Sequence, residues 1–553
     1  MTGPAYRPWY GMLVFAALAL IEVAWAFGLP LGAGPDEPSH VYRAVALVRT
    51  GNVIPDDRYR DTEFFVVDVP DRTVRAVGAS QCSAGHPSTG NACSRRYHRS
   101  WSGSVTRIPS TSARYLWTYY AAVGWPALID PGPRGIYGLR LVSGLTCAGL
   151  LAAAASTMLR LRRPVLPAVG LAAAVTPMAT GIAAMVNPSA WEVSGAVLVW
   201  ACLLGLADPV ASQRRSWLLV KLGVGGSAML LTRQLSVLWL ALILVSVLLT
   251  TERTAVAVTL RRLRRDRLAQ VVAVLLAGAA AYEQYWYVFV DQNLPTPVRG
   301  HQSLAGAWLD SLARIPLWIH EGYGVLGWLD APSPDLALEA WAGVNCVLVL
   351  FAVLGARGRA RLVPAFALVG GLLLSVTLEA VFRNALGGNW WQGRYSMPYL
   401  SGLPLLCGAV GAATWRWDRW TAQVLLRWTV LPLAAGSVFT YYWVLHRYGA
   451  GMAGPWSPGS WTWSPPGSAH LLLMLYLSGS LLLAAVLVRG GRAGREYGPG
   501  GSATGTVDLT ERSLTMADVV RSPDLPEVVD LAAEETAGAV PSSRRGSGPG
   551  PRQ

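Results

Sequence analysis

The chain is written in long apolar runs with short polar punctuation between them. The runs fall at residues 9–31, 136–158, 165–186, 190–207, 217–231, 235–250, 268–290, 338–354, 362–381, 397–413, 424–445 and 470–488. About 20 apolar residues cross a bilayer core as a helix, so these runs predict an all-α, polytopic transmembrane protein of about twelve spans. Residues 114–130 are different. They carry Tyr115, Trp117, Tyr119, Tyr120 and Trp125 but are broken by Pro126. At about 17 residues this stretch suits an interfacial helix better than a span.

Charge orders the runs. Arginines cluster between them at Arg160, Arg162 and Arg163, at Arg214 and Arg215, from Arg261 to Arg267, at Arg357, Arg359 and Arg361, at Arg416 and Arg419, and at Arg489, Arg492 and Arg495. All fall on one side only if 114–130 does not cross. That side is then cytoplasmic under the positive-inside rule, with both termini there, in a cell inner or plasma membrane. The expected organisation is a first transmembrane helix at 1–31 and an extracytoplasmic loop with interfacial helices at 32–135. A bundle follows at 136–489, with outer loops at 291–337, 383–396 and 446–469. The Gly-, Pro- and acid-rich residues 490–553 read as a disordered cytoplasmic tail.

Composition agrees. The 553 residues are 52% hydrophobic and only 14% charged, where a soluble domain carries about 25% charge, and the mean hydropathy is +0.36. The net charge of +14 would point to nucleic acid in a soluble protein. Here it lies in loops between spans, and no nucleic-acid partner is expected. Of six cysteines, Cys147, Cys202, Cys346 and Cys407 lie in apolar runs, whereas Cys82 and Cys93 lie in the first polar loop. Outside the cytoplasm these two would form a disulfide worth roughly 2–3 kcal/mol. A zinc site with His86 and His98 is the rival reading, though the spacing matches no recognised ligand pattern.

Two polar clusters interrupt the apolar text. The first, GPDEPSHVYRAVALVRTG from Gly34 to Gly51, reads as a short helix with Pro38 in its first turn and Gly51 as its cap. Val41, Ala44, Val45 and Val48 make an apolar face for the membrane surface, while Asp36, His40 and Arg43 share another face, with Glu37 beside them. Acids complementing a helix dipole are the plain alternative. The second is GGNWWQGRYSMPYL, ending at Leu400. Arg394 there is placed for a phosphate at headgroup depth, or for snorkelling among the belt aromatics Trp390, Trp391 and Tyr395. Glu22, Arg140, Arg233, Glu283, Glu379 and Arg383 lie within spans or at their ends. Such residues act in function or pair with one another, and Glu379 and Arg383, four apart, are expected to pair. The chain has no P-loop, HExxH, GxSxG or Rossmann fingerprint.

Taken in order, PDEPSHVYR (35–43), VNPS (186–189), GYGVLGWLD (322–330) and QGRYSMPYLSGLPLL (392–406) resemble a bacterial family of predicted membrane proteins bearing a domain of unknown function, number 2142. That family is grouped with the GT-C glycosyltransferase superfamily. The resemblance implies a GT-C-like architecture with juxtamembrane helices in the first outer loop. It implies transfer of a sugar from a polyprenyl-phosphate donor to a cell-envelope glycan, lipid or other acceptor on the extracytoplasmic face. Asp36 and Glu37 match the superfamily's acidic motif, as catalytic base and as acceptor- or metal-binding partner, with Mg or Mn as the expected divalent cation. Arg394 is the inferred donor-phosphate ligand, with His40, Arg43, Arg140, Arg233, Gln392 and Tyr395 completing the expected substrate-binding set. The donor, the acceptor and membrane lipids are the expected partners. A transporter or flippase, or a scaffold for envelope polymers, is the alternative. A transporter places its polar groups near mid-membrane, whereas these clusters lie near the ends of spans.

Overall fold

The structure is a computed structural model that describes residues 9–58, 64–98, 103–291 and 302–492. The expected tail lies outside the described residues from 493 onward.

Helix α1 (Trp9–Gly28) is a continuous apolar helix. The chain then turns through Gly32, whose φ of +75° and 2.2 Å clearance between an added Cβ and the Val77 carbonyl oxygen leave room only for glycine. Next comes a compact polar region built on α2 (Glu37–Thr50), α3 (Asp71–Gly78), α4 (Trp117–Gly124) and α5 (Pro126–Ile129). Strands β1 (Phe65–Pro70) and β2 (Val105–Ser110) join it, paired antiparallel from Phe65↔Ser110 to Pro70↔Val105. Gly51 ends α2 in the left-handed conformation, its N–H donating to the Leu47 carbonyl at 2.9 Å. Far from resting on a membrane surface, α2 is the core of this region. Val41, Ala44 and Val45 are buried with Phe65, Val77, Tyr119 and Tyr120, and so are its polar His40 and Arg43. Cys82 and Cys93 are disulfide-bonded. Their loop is clamped by buried Arg447, which donates to the Ser83 and Thr89 carbonyls and pairs with Asp330 at 2.5 Å.

The bundle follows. Helices α6 (Pro133–Met158), α7 (Val165–Ala174), α8 (Pro177–Ala183), α9 (Ser189–Ala207), α10 (Arg215–Leu230) and α11 (Ser236–Thr250) form its first part. After the basic helix α12 (Arg253–Arg265) come α13 (Arg267–Phe289), α14 (Leu304–Leu312) and α15 (Ile315–Gly324). The last part is α16 (Asp335–Gly355), α17 (Val363–Leu386), α18 (Met397–Leu400), α19 (Leu403–Ala412), α20 (Arg419–Gly449) and α21 (Ala469–Gly491). The protein is thus an all-α polytopic membrane protein. Helix α1 packs between α6 and α21, and α7 lies against α19. That last contact is very close: an added Cβ on Gly170 would meet the Pro404 carbonyl oxygen at 2.3 Å, so small residues set the approach.

Among the described residues, seven helices are long and apolar enough to cross a membrane: α1, α6, α9, α16, α17, α20 and α21. The pair α7–α8, bent by 58°, would make an eighth. The expected dozen is larger because several apolar runs are broken or short. The run at 165–186 bends before Pro177, and the run at 397–413 splits into α18 and α19. Helices α10 and α11 have 16 and 15 residues, and α13 falls short in hydropathy. Residues 114–130 form only the short α4 and α5, which cannot cross.

Candidate active site

The turn Gly34-Pro35-Asp36-Glu37-Pro38 places two adjacent carboxylates in opposite situations. Asp36 has φ +57°, ψ +6°, a left-handed conformation that Asp tolerates better than most residues but that still costs energy. At a helix N-cap an Asp side chain ordinarily accepts a backbone N–H of the first turn. Asp36 makes no such bond. Its carboxylate instead faces Arg394 in an ion pair, 47% exposed, while the guanidinium is 1% exposed.

Glu37 is wholly buried and fully engaged. Arg140 of α6 grips it at two points, Nε to Oε1 at 2.7 Å and Nη2 to Oε2 at 2.6 Å. The same oxygens accept the N–H groups of Gly32, Gly34 and Val186. Arg140 spends its other N–H groups on the carbonyls of Ala26, Leu29 and Pro30, which end α1. The pair therefore locks the Asp36 turn onto the ends of two spanning helices.

Arg394 reaches the turn from a 3₁₀ segment, Gly393–Tyr395, between α17 and α18. Glu321 of α15 anchors that segment, accepting the Gly393 N–H at 2.6 Å. The segment packs so tightly that an added Cβ on Gly393 would lie 2.1 Å from the Trp318 carbonyl oxygen. Tyr395 then lies beneath two cations, with the guanidinium carbons of Arg394 and Arg233 at 5.2 and 5.3 Å from its ring centroid. Arg233, between α10 and α11, also sits 5.6 Å from the Tyr115 ring and donates to Ser189 Oγ at 3.0 and 3.2 Å. Among the described residues no carboxylate stands at ion-pair distance from it.

The motifs that are far apart in sequence meet here. Asn187 of VNPS donates its Nδ2 to the Pro35 carbonyl at 3.0 Å, and its N–H to Tyr119 Oη at 2.9 Å. His40 is buried beneath the turn, with Nδ1 2.8 Å from Tyr120 Oη and 2.9 Å from Ser112 Oγ. Burial pushes its imidazole down to about 3 against the pull of Asp36, so the ring is neutral at neutral pH. Burial alone would raise the Asp36 carboxyl. Arg394 first, then His40 and Arg233, pull the other way and hold it below the ordinary carboxylate range.

Other expected residues fall elsewhere. Arg43 donates to the carbonyls of Asn52, Val53 and Tyr115, and so holds the chain after α2 rather than facing Asp36. Arg140 is committed to Glu37 and the end of α1. Gln392 caps the Arg394 turn, and its buried Oε1 has no partner among the described residues. The expected Glu379–Arg383 pair does not form. Glu379 instead accepts the N–H groups of Trp390 and Trp391, which fold back over the end of α17, and Arg383 pairs with Asp310.

The residues do not fit a divalent cation at Asp36 and Glu37. Both Glu37 oxygens are taken by Arg140 and backbone N–H groups, and Asp36 is taken by Arg394. Among the described residues no group of three or more His, Cys, Asp or Glu is placed to hold an ion. Residue-level reading missed Tyr115, Asn187, Ser189 and Glu321. Their signal lay in their neighbours: Asn187 and Ser189 sit in VNPS, and Glu321 directly precedes GYGVLGWLD.

A family model described as "Predicted membrane protein (DUF2142)" matches residues 19–403. Among solved structures the chain is similar to the crystal structure of ArnT from Cupriavidus metallidurans bound to undecaprenyl phosphate. The identity is 14% over 88% of this chain and 77% of that one, with a TM-score of 0.46. No curated protein matches the chain.

Proposed function

The chain belongs to that family of predicted membrane proteins, and from that premise we propose that it is a GT-C-type glycosyltransferase. It takes a sugar from a polyprenyl-phosphate donor and passes it to a cell-envelope glycan, lipid or other acceptor. One observation carries the reading: a half-exposed carboxylate, Asp36, faces two arginines around a single tyrosine ring, and one of these, Arg233, has no carboxylate at ion-pair distance among the described residues. An anion is the missing partner, and a guanidinium pair suits a phosphate.

The chemistry follows from this arrangement. The donor phosphate binds Arg233 and Arg394, and in taking Arg394 it releases Asp36. An Asp36 freed from its cation is more basic. It accepts the proton of the acceptor hydroxyl as that oxygen forms a bond to the anomeric carbon. The bond from that carbon to the phosphate oxygen breaks, the electron pair leaves on the phosphate, and the two arginines stabilise the developing charge. A single displacement inverts the anomeric centre. His40, neutral and bonded to Tyr120 and Ser112, supports the turn. Glu37 and Arg140 are positioning residues. No step runs through a metal.

The test is transfer from a synthetic polyprenyl-phosphate sugar by purified protein in lipid discs, with donor affinity measured alongside. Absence of both donor binding and transfer, across a panel of sugars, would favour the scaffold reading. We place this end of the bundle outside the cell and both termini in the cytoplasm. A Gly103→Cys variant, altered where an added Cβ meets open space, should react with an impermeant maleimide in intact cells. Labelling only after lysis would reverse the topology.

A further inference from the structure

A second site, with both polar and apolar lining, shares no residue with the Asp36 cluster. The short helix α5 and the first turns of α6 enclose an open groove of about 890 Å³. Its floor is apolar and includes Leu141 and Val142 of the spanning helix α6, with Ile129 on the wall. Trp125 and Ile129 are 51% and 81% exposed. Large apolar side chains so bare beside a spanning helix mark a face that meets lipid.

The rim carries charge. Arg134, in the first turn of α6, is exposed and has no hydrogen-bond or ion-pair partner among the described residues. Arg72 lines the same groove, 41% exposed and 3.4 Å from Asp130. Asp130 also lines it and accepts the Gly132 N–H at 2.9 Å. Among the described residues that line the groove, two cations and one anion leave the rim net positive, and both of these Asp130 contacts use Oδ1, which leaves Oδ2 to accept from a hydroxyl.

We infer that this groove is a binding site for an anionic phospholipid with a hydroxyl-bearing headgroup, of the phosphatidylglycerol kind. Its phosphate sits between Arg134 and Arg72, its headgroup hydroxyl donates to Asp130, and one acyl chain lies along Leu141 and Val142. Charge complementarity selects this occupant. A zwitterionic choline lipid brings no net charge to the rim and no hydroxyl to Asp130. The site is independent of the sugar-transfer reading, because it shares no residue with the Asp36 cluster.

The test is native mass spectrometry of the full chain, titrated with dioleoylphosphatidylglycerol or dioleoylphosphatidylcholine. Wild type should retain phosphatidylglycerol preferentially, and excess inorganic phosphate should not displace it. Arg134→Ala should weaken its retention about fivefold, the equivalent of ~1 kcal/mol per basic residue at an anionic lipid surface. Arg134→Lys should keep most of it, since at this exposed rim position the side chain supplies charge rather than the enclosed two-point contact expected of Arg394. Because Arg134 has no partner to lose among the described residues, the variant should fold; Val142→Trp, which adds bulk to the groove lining, gives a second approach and should also reduce retention. Equal retention of the two lipids, or retention unchanged in both Arg134→Ala and Val142→Trp, would overturn the site.

Discussion

Asp36 and Glu37 are neighbours in sequence, have nearly the same chemistry and each face an arginine, yet their surroundings divide them. Glu37 and Arg140 are both 0% exposed, and every oxygen and N–H of the pair is used. Asp36 is 47% exposed, sits in a left-handed turn and caps nothing. A buried pair with every bond satisfied holds a structure in place and resists change. A half-exposed acid held by one cation, beside a second cation that makes no ion pair among the described residues, is free to exchange partners. The contrast teaches that two adjacent acids need not form one unit: here the second acid fixes the turn, and the first keeps an exposed oxygen and a partner it can exchange.

The sharpest way to break the comparison is to remove the holding pair. Glu37→Gln leaves Arg140 as an uncompensated buried charge, which costs about 3–5 kcal/mol. Thermal unfolding in detergent should drop steeply, with poor membrane yield. Asp36→Asn should cost much less, because its half-exposed carboxylate is screened by water. Equal losses in the two variants would erase the distinction.

The next effect falls on donor binding. Arg394→Ala should weaken it about tenfold to a hundredfold, the value of a charge-assisted bond of roughly 1.5–3 kcal/mol. Arg233→Ala should do the same. Arg394→Lys should restore only part, since an ammonium lacks the two-point planar contact. Calorimetric titration with a polyprenyl-phosphate sugar reads all three. Full recovery by lysine would argue against a two-point contact.

The last effect is one of pH. The His40 imidazole is lowered from 6.5 to about 3, so between those values the unfolded chain binds a proton that the folded chain does not. Stability contributed by the neutral ring is present above 6.5 and falls as pH drops towards 3. The Asp36 carboxyl, also lowered, adds a loss at the acid end as its pair with Arg394 is protonated. His40→Asn should flatten the melting temperature between pH 6.5 and 4; an unchanged slope would mean other groups set the acid limb.

Much of this was legible in the chain. Pro38 and Gly51 bounded α2 well, because a missing N–H and a tolerated left-handed φ are local properties. The long apolar runs named the spanning helices. Breaks within runs were harder: Pro177 follows a residue whose backbone it forces extended, but the 58° bend depends on what packs around it. In the site, Asp36 and Arg394 were visible as charges in odd places. The split between Asp36 and Glu37 was not, since it depends on Arg140, 103 residues downstream of Glu37. Nor was the role of Arg43, which turns from the shared helix face towards loop carbonyls.

The most direct measurement is the transfer rate of purified Asp36→Asn protein, read together with its donor affinity and melting temperature. Loss of a general base should slow transfer by about 10²–10⁴-fold, with donor binding no weaker than wild type and a stability loss far smaller than that of Glu37→Gln. Transfer at the wild-type rate would contradict the assignment of Asp36 as the acting carboxylate.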